Sequence, residues 1–373
     1  MARTIVVTGA ASGIGQALAA LLTRRGEHVV AVDVTSGDVV ADLSTRRGRD
    51  DAVEGVLDET GGRIDAVVAN AGLALPVRET VAVNHFGAVD LLTGLRPALA
   101  ASSRAPRAVV TSSMATLLPV HVPLVEACLA GDEDRALALA AELEAAGPQA
   151  AATIYPSSKR ALSRWVRRVA PLPAWAGAGI PLNAVAPGVV RTPMTAAMTA
   201  TADGRAALDA VVPMPLGGYL EAGQVAALLA WLVSAENTHV CGQTVHVDGG
   251  SDVLLRGDDV WSWHDADPGT LSPRTGVATT HVGRDLSRAP APVSVRPAGG
   301  PGHHRPGAGS PDRTLTDSGC SPDLRPTGLP LAWARRWTTG SAGVAVTTTG
   351  SSPRRGGWVP SHRGLGTHPS CCS

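Results

Sequence analysis

The sequence predicts an α/β protein: a doubly wound parallel sheet of about seven strands, with helices on both faces. Three observations predict it. Short β-branched runs alternate with helical stretches along residues 1–261, the pattern of repeated strand–helix–strand units. The strand runs are continuously apolar, as expected of strands buried on both faces. Residues of evident chemical interest fall just after strands, where open parallel sheets bind ligands.

The elements follow in order. "TIVVT" is the first strand, and a glycine turn leads from it into the amphipathic helix "IGQALAALLTRRG". "HVVAVDV" is the second strand, "STRRGRDDAVEGVLDETG" a helix, and "IDAVVANAG" the next strand. A long helix is expected from about Glu79 to Ser102. "RAVVTSS", "IPLNAVAPG" and "QTVHVDGG" complete the readable strands. The segment between "TSS" and Tyr155 reads as two short helices, the second with apolar positions at helical spacing (Ala136, Leu137, Leu139, Ala140, Leu143). They are broken at Gly131, and the second ends at Gly147-Pro148.

Composition changes abruptly near Trp261. Residues 262–373 lack Lys, Glu, Ile, Asn, Gln, Phe, Tyr and Met, and hold 17 Gly and 14 Pro among 112 residues. Such a segment cannot bury enough apolar surface to offset its ordering entropy, so a disordered tail is expected. Out-of-frame translation or read-through of a GC-rich gene would produce this composition. A basic interaction tail is the competing reading, since 12 basic face 6 acidic residues there, with four Trp.

Net charge is zero, which gives no electrostatic ground for nucleic-acid binding. No apolar run reaches membrane-spanning length. A strand-like run starting at Arg3 leaves no room for a signal peptide. The five cysteines lack zinc spacing, no metal is expected, and a reduced cytoplasm fits best.

The turn "TGAASGIG" (Thr8–Gly15) joins strand to helix with glycines at 9, 13 and 15. Glycines there let the backbone approach a pyrophosphate, which then sits on the helix N-terminus. Asp33 ends the second strand 20 residues after Gly13. A carboxylate there accepts hydrogen bonds from ribose hydroxyls and repels a 2′-phosphate. No basic residue adjoins it, so NAD is expected over NADP; a simple turn acid is the plainer alternative.

Lys159 is the only lysine among 32 basic residues, and Tyr155, four residues before it, is one of two tyrosines. Arginine replaces lysine freely at solvated positions but not where a compact ammonium is required. On a helix, positions i and i+4 share a face. A nearby ammonium favours the phenolate and lowers its pKa, fitting Tyr155 for proton exchange with an alcohol or carbonyl. A surface lysine left by drift is the plainer reading of Lys159 alone.

"TGAASGIG", "NAG" (Asn70–Gly72), "VNHFG" (Val83–Gly87), "TSSMA" (Thr111–Ala115), "YPSSK" and "APGVVRTP" (Ala186–Pro193) occur in one order. With them, residues 1–261 resemble the short-chain dehydrogenase/reductase family, whose domain is an NAD-binding Rossmann fold. The resemblance implies a catalytic set. Tyr155 would be the general acid/base, with Lys159 lowering its pKa and binding the nicotinamide ribose. Ser113 (rather than Ser112) would hydrogen-bond the substrate oxygen, and Asn84 would hold a relay water. Plainer alternatives are strand-end hydroxyls for the serines and a helix cap for Asn84. The resemblance also implies cofactor contacts: Gly9, Ser12, Gly13, Ile14 and Gly15 at the phosphates, Asp42 and Leu43 at the adenine, Asn70, Ala71 and Gly72 along the cofactor, and Pro187, Gly188 and Thr192 by the carboxamide. His85, His121, His239 and His246 are expected to be structural or exposed, and Tyr219 to be packing.

Ser113 and Tyr155 are 42 residues apart, against about a dozen in the family. This helical insertion, at about 116–153, resembles that of the bacterial 3α-hydroxysteroid dehydrogenase/carbonyl reductases and the coniferyl-alcohol dehydrogenases near them. That subgroup implies an interface near the insertion and a homodimer. A substrate lid is expected at about 192–219, where Met194, Met198 and Met214 would either adapt to a bulky apolar ligand or simply pack the loop. The expected activity is NAD-dependent oxidation of an apolar alcohol, a hydroxysteroid first and a coniferyl, aryl or terpenoid alcohol second. An NAD(H)-sensing module on the same fold is the non-enzymatic alternative.

Overall fold

The computed structural model describes residues 2–261, and the tail expected at 262–373 lies outside the described residues. The chain runs β1 (Thr4–Thr8), α1 (Gly13–Arg24), β2 (His28–Asp33), β3 (Val39–Val40), α2 (Arg46–Thr60) and β4 (Ala66–Ala69). It continues through α3 (Arg78–Val81), α4 (Ala88–Ala101), β5 (Arg107–Thr111), α5 (Val122–Ala130), α6 (Glu133–Ala145), α7 (Pro148–Ala151) and α8 (Ile154–Val169). The last part is β6 (Leu182–Pro187), β7 (Val190–Arg191), α9 (Pro193–Thr199), α10 (Ala202–Val211), β8 (Leu220–Glu221), α11 (Ala222–Leu232), β9 (Thr244–Val247) and α12 (Ser251–Arg256).

Seven strands form one parallel sheet in the order β3-β2-β1-β4-β5-β6-β9. Strand side chains alternate between faces, and here they feed two cores. Val6, Val32, Val67 and Val110 point to a cluster completed by Leu91, Leu92 and Leu95 of α4, Val56 of α2 and Leu162 of α8. Ile5, Val7, Val68 and Val109 point the other way, to Leu18 and Leu22 of α1 and Val225 and Leu229 of α11. Both faces being covered is why these strands are predominantly apolar.

Local chemistry sets the helix ends. Thr45 caps α2 by accepting from Gly48 N at 3.0 Å, and Gly61 closes it at φ 58°, the left-handed ending that glycine tolerates best. α3 passes into α4 through a π-helical turn, Ala82–Gly87, inside the long helix expected from the sequence. The segment between Ser113 and Tyr155 folds as α5 and α6, broken at Gly131 (φ 73°), plus a short third helix, α7, that the periodicity did not indicate. α5 and α6 form their own apolar cluster with Val81, Phe86, Ile154 and Ala161, so the insertion stands on the helices that carry Asn84 and Tyr155.

Three two-residue strands were not legible. β3 is two residues long, and β7 pairs with β8 in a separate two-stranded sheet. Two-residue strands carry no period. The sheet order reverses between β1 and β4, and open parallel sheets bind ligands at the carboxyl ends of the strands at such a switch point.

Candidate active site

At the switch point, β1 ends in Thr8 and β4 leads into Asn70. The buried Thr8 hydroxyl accepts from Asn70 N and Ala71 N, both at 2.9 Å. Asn70 Nδ2 donates to Thr8 O at 3.2 Å, and Thr111 Oγ1 donates to Asn70 Oδ1 at 3.0 Å. These bonds stitch the ends of β1, β4 and β5 together. Thr8 and Thr111 were not picked out from the sequence as structural pins; a hydroxyl ending an otherwise apolar strand was the available signal.

A cavity of about 710 Å³ opens above them. Gly9, Ser12, Gly13 and Ile14 form one end of its lining. Ser12 precedes α1 without capping it by its side chain, which leaves first-turn N–H groups for a ligand. Gly9 and Gly13 have φ of 66° and 53°. Gly15 does not line the cavity; a Cβ there would lie 2.0 Å from Gly9 O. Glycine at 15 therefore lets α1 start directly beneath the turn.

Asp33, Asp42, Leu43, Asn70, Ala71, Gly72, Pro187, Gly188 and Thr192 line the same cavity. Asp33 accepts from Ala11 N at 3.1 Å, Thr35 N at 3.0 Å and Thr35 Oγ1 at 2.9 Å. Burial raises its pKa, but these bonds and one from Val34 N outweigh it and hold the carboxyl below its ordinary value. Thr192 caps α9 in a reciprocal capping box with Thr195 and closes against Gly13, where a Cβ would lie 3.2 Å from Thr192 Cγ2. These features fit a dinucleotide: donors for phosphate at one end, a carboxylate for hydroxyls beyond, and a turn that added side chains would block.

Tyr155, Lys159 and Ser113 stand at the other end. Tyr155 is the second residue of α8 and Lys159 lies one turn on, with Nζ 6.0 Å from the phenol ring centroid. Nζ donates to Thr111 O at 2.8 Å, and burial lowers the ammonium pKa to about 8. Gly72 gives it room: a Cβ there would lie 3.3 Å from Nζ and 2.9 Å from Asn84 Oδ1. A compact ammonium fits this place; a planar guanidinium does not.

Burial raises the Tyr155 pKa, the Ser113 hydrogen bond opposing it, so in the unliganded cleft Lys159 does not bring the phenol below its ordinary value. Asn84 is fully buried and does not line the cavity. Its amide is engaged with Leu73 N (2.8 Å), Leu73 O (2.9 Å) and Ser158 Oγ (3.0 Å). Its side chain fixes the turn after Asn70. Ser112 is bonded to Ser163 Oγ at 2.7 Å, leaving Ser113 as the serine hydroxyl beside the phenol.

A second, apolar cavity of about 110 Å³ shares Ser113, Tyr155, Gly188, Met194 and Thr195 with the first. Met198, Leu208, Val211 and Val212 wall it on one side, and Ala151 and Ala152 of the insertion on another. Met214 lines neither cavity. Its sulfur accepts from Val189 N at 3.2 Å and lies against Gly188, so it packs the loop rather than facing a substrate. Among the described residues no helix is long and apolar enough to cross a membrane, and no group of three or more His, Cys, Asp or Glu is placed to hold a metal. His85 is buried with Nε2 2.9 Å from Cys128 O, and His121 caps α5.

This fold and cleft define a nucleotide-dependent oxidoreductase domain, and comparison with known proteins agrees. Residues 3–125 match the model of the short chain dehydrogenase family, and residues 135–252 match that of enoyl-(acyl carrier protein) reductase. The chain belongs to the short-chain dehydrogenase family. It is 36% identical over 260 residues to 3-alpha-hydroxysteroid dehydrogenase/carbonyl reductase of Comamonas testosteroni, covering 68% of this chain and 97% of that one. It is 32% identical over 267 residues to cis-4-hydroxycyclohexanecarboxylate dehydrogenase of Sinomonas cyclohexanicum, covering 66% and 96%. The 3-alpha-hydroxysteroid dehydrogenase of Pseudomonas sp. B-0831, solved in complex with NADH, superposes with a TM-score of 0.62 at 41% identity, covering 69% of this chain and 99% of that one.

Proposed function

We propose that the chain is an NAD(H)-dependent alcohol dehydrogenase/carbonyl reductase for apolar ring alcohols, a 3α-hydroxysteroid foremost. The observation that carries this is the junction: Ser113 and Tyr155 belong to both the dinucleotide-sized cavity and the apolar one. A hydroxyl entering from the apolar side meets both side chains, while its carbon faces the larger cavity. The nicotinamide, when bound, supplies the hydride acceptor or donor. Ser113 orients the substrate oxygen, and Tyr155 takes its proton in oxidation or returns it in reduction. Lys159 holds the ribose end and adds positive charge beside the phenol. Asn84 keeps the Asn70–Leu73 turn in place.

The Asp33 carboxylate supports NAD over NADP. Asp33→Asn removes the charge that opposes a 2′-phosphate while keeping an acceptor, so the kcat/KM ratio of NAD to NADP is expected to fall about 10- to 100-fold. An unchanged ratio would place cofactor choice elsewhere.

The size of the apolar cavity favours a second reading. At about 110 Å³ it is below the roughly 300–1,000 Å³ of most ligand sites. A single-ring or coniferyl-type alcohol needs less opening of α9 and α10 than a sterol does. Turnover of androsterone, coniferyl alcohol and cyclohexanol with NAD or NADP separates the two. Lys159→Arg should lower kcat about 100-fold on whichever alcohol is used. NADH binding without turnover of any alcohol would favour a sensing module.

A further inference from the structure

The sequence suggests only packing for Tyr219, the second tyrosine. Its hydroxyl donates to Asp209 Oδ1 at 2.8 Å, with Arg205 O a second acceptor at 3.2 Å. Both partners are on α10. The other side of Tyr219 belongs to the β7–β8 pair. The Arg191 guanidinium lies over its ring, 5.4 Å from the centroid, and Arg191 Nε pairs with Glu221 at 3.3 Å. Arg191 and Glu221 are register partners in that pair, and Thr192, which closes on the glycine turn, is the next residue.

The segment has a joint beside this contact. Gly217 and Gly218 immediately precede Tyr219 with φ of 75° and 69°, and nothing lies within 4 Å of a Cβ built at either. Glycines in that conformation absorb backbone rotation at low cost. Before the joint, Leu216 N donates to Gly249 O at 3.0 Å. Leu208, Val211 and Val212 wall the apolar cavity, and Tyr219 packs on the same cluster, which includes Met114 next to Ser113.

We infer that Tyr219 is a positioning residue for the substrate. It latches α10 to the β7–β8 pair and so holds the Leu208–Val212 wall against the Ser113–Tyr155 junction. The latch sets how tightly an apolar alcohol is held, not how fast hydride moves. A single bond between a phenol and an exposed carboxylate is weak enough to open for substrate entry and to re-form behind it. The role in substrate binding rests on the proposed function; the latch itself does not.

The test uses the full chain and four variants: Tyr219→Phe, Asp209→Ala, Asp209→Asn and the double variant Tyr219→Phe/Asp209→Ala. Amide hydrogen exchange over residues 202–212 reads the latch. Tyr219→Phe should speed exchange there about fivefold, and Asp209→Ala by less because Arg205 O remains as an acceptor, with residues 222–232 unchanged. The double variant should match Tyr219→Phe, because without the hydroxyl Asp209 has no part in the latch. Asp209→Asn keeps the acceptor and should behave as wild type. Equal exchange in wild type and Tyr219→Phe overturns the latch. In turnover, Tyr219→Phe should raise KM for the preferred alcohol about fivefold and leave kcat within about twofold. Faster exchange with unchanged KM overturns the positioning role. If wild type turns over no alcohol, the proposed function fails while the exchange result still decides the latch.

Discussion

Tyr155→Phe is expected to lower kcat by a factor of about 10²–10⁴, the range for removing a general acid/base, while NADH binding stays within about twofold of wild type. The substitution deletes one oxygen. It leaves the ring packed at the start of α8 and leaves Lys159 bonded to Thr111 O. Stopped-flow measurement of NADH formation separates the chemical step from cofactor release. A fall of less than about tenfold would mean that Tyr155 does not move the proton.

The pH dependence follows from the same pair. In the proposed reaction oxidation needs the phenolate, and burial holds the phenol above its ordinary pKa. Oxidation by wild type should therefore rise with pH into the alkaline range, and reduction should fall. Lys159 adds a stability effect of known sign. Its pKa is about 8 in the folded chain against an ordinary 10.5, so between those values the unfolded chain binds more protons. The burial cost is fully present below pH 8 and is relieved as pH rises toward 10.5. Lys159→Met should flatten this part of the stability–pH curve for the unliganded protein.

Glu133→Ala is expected to destabilise the fold by about 3 kcal/mol, the lower part of the range for breaking a buried ion pair from one side. Arg49 is 1% exposed, and its Nη2 lies 2.7 Å from both Glu133 carboxylate oxygens. Arg49 Nε also faces Asp90 at 2.8 Å, and Arg46 Nε faces Glu133 at 2.7 Å. The cluster ties α6 of the insertion to α2 and α4. Without Glu133 the guanidinium stays buried with Asp90 alone as its counter-ion. A melting temperature about 6–12 °C lower should follow for a domain of this size. Asp134→Ala is the control: Asp134 meets only the exposed Arg46 and has an 89% exposed side chain, so its loss should cost less than about 1 kcal/mol. Equal effects of the two would show that the buried pair does not hold the insertion.

The sequence by itself determined six of the seven strands of the parallel frame, because covered strands need predominantly apolar runs and the intervening helices need a 3.6-residue stripe. It placed the glycine turn, Asp33 and the Tyr155–Lys159 pair, because each is set by spacing along one strand or one helix turn. Arg49 was half legible: it shares the buried phase of α2 with Ala52, Val56 and Thr60, but its partner comes from α6, 84 residues on. Tertiary structure alone decided what depends on distance between elements. It left Asn84 and Met214 off the walls of both cavities, and it added to the packing of Tyr219 hydrogen bonds to α10 and a ring contact with Arg191. It also added the burial that raises the Tyr155 pKa in the unliganded cleft, since a neighbouring charge is visible in the spacing of residues but desolvation is a property of the packed interior.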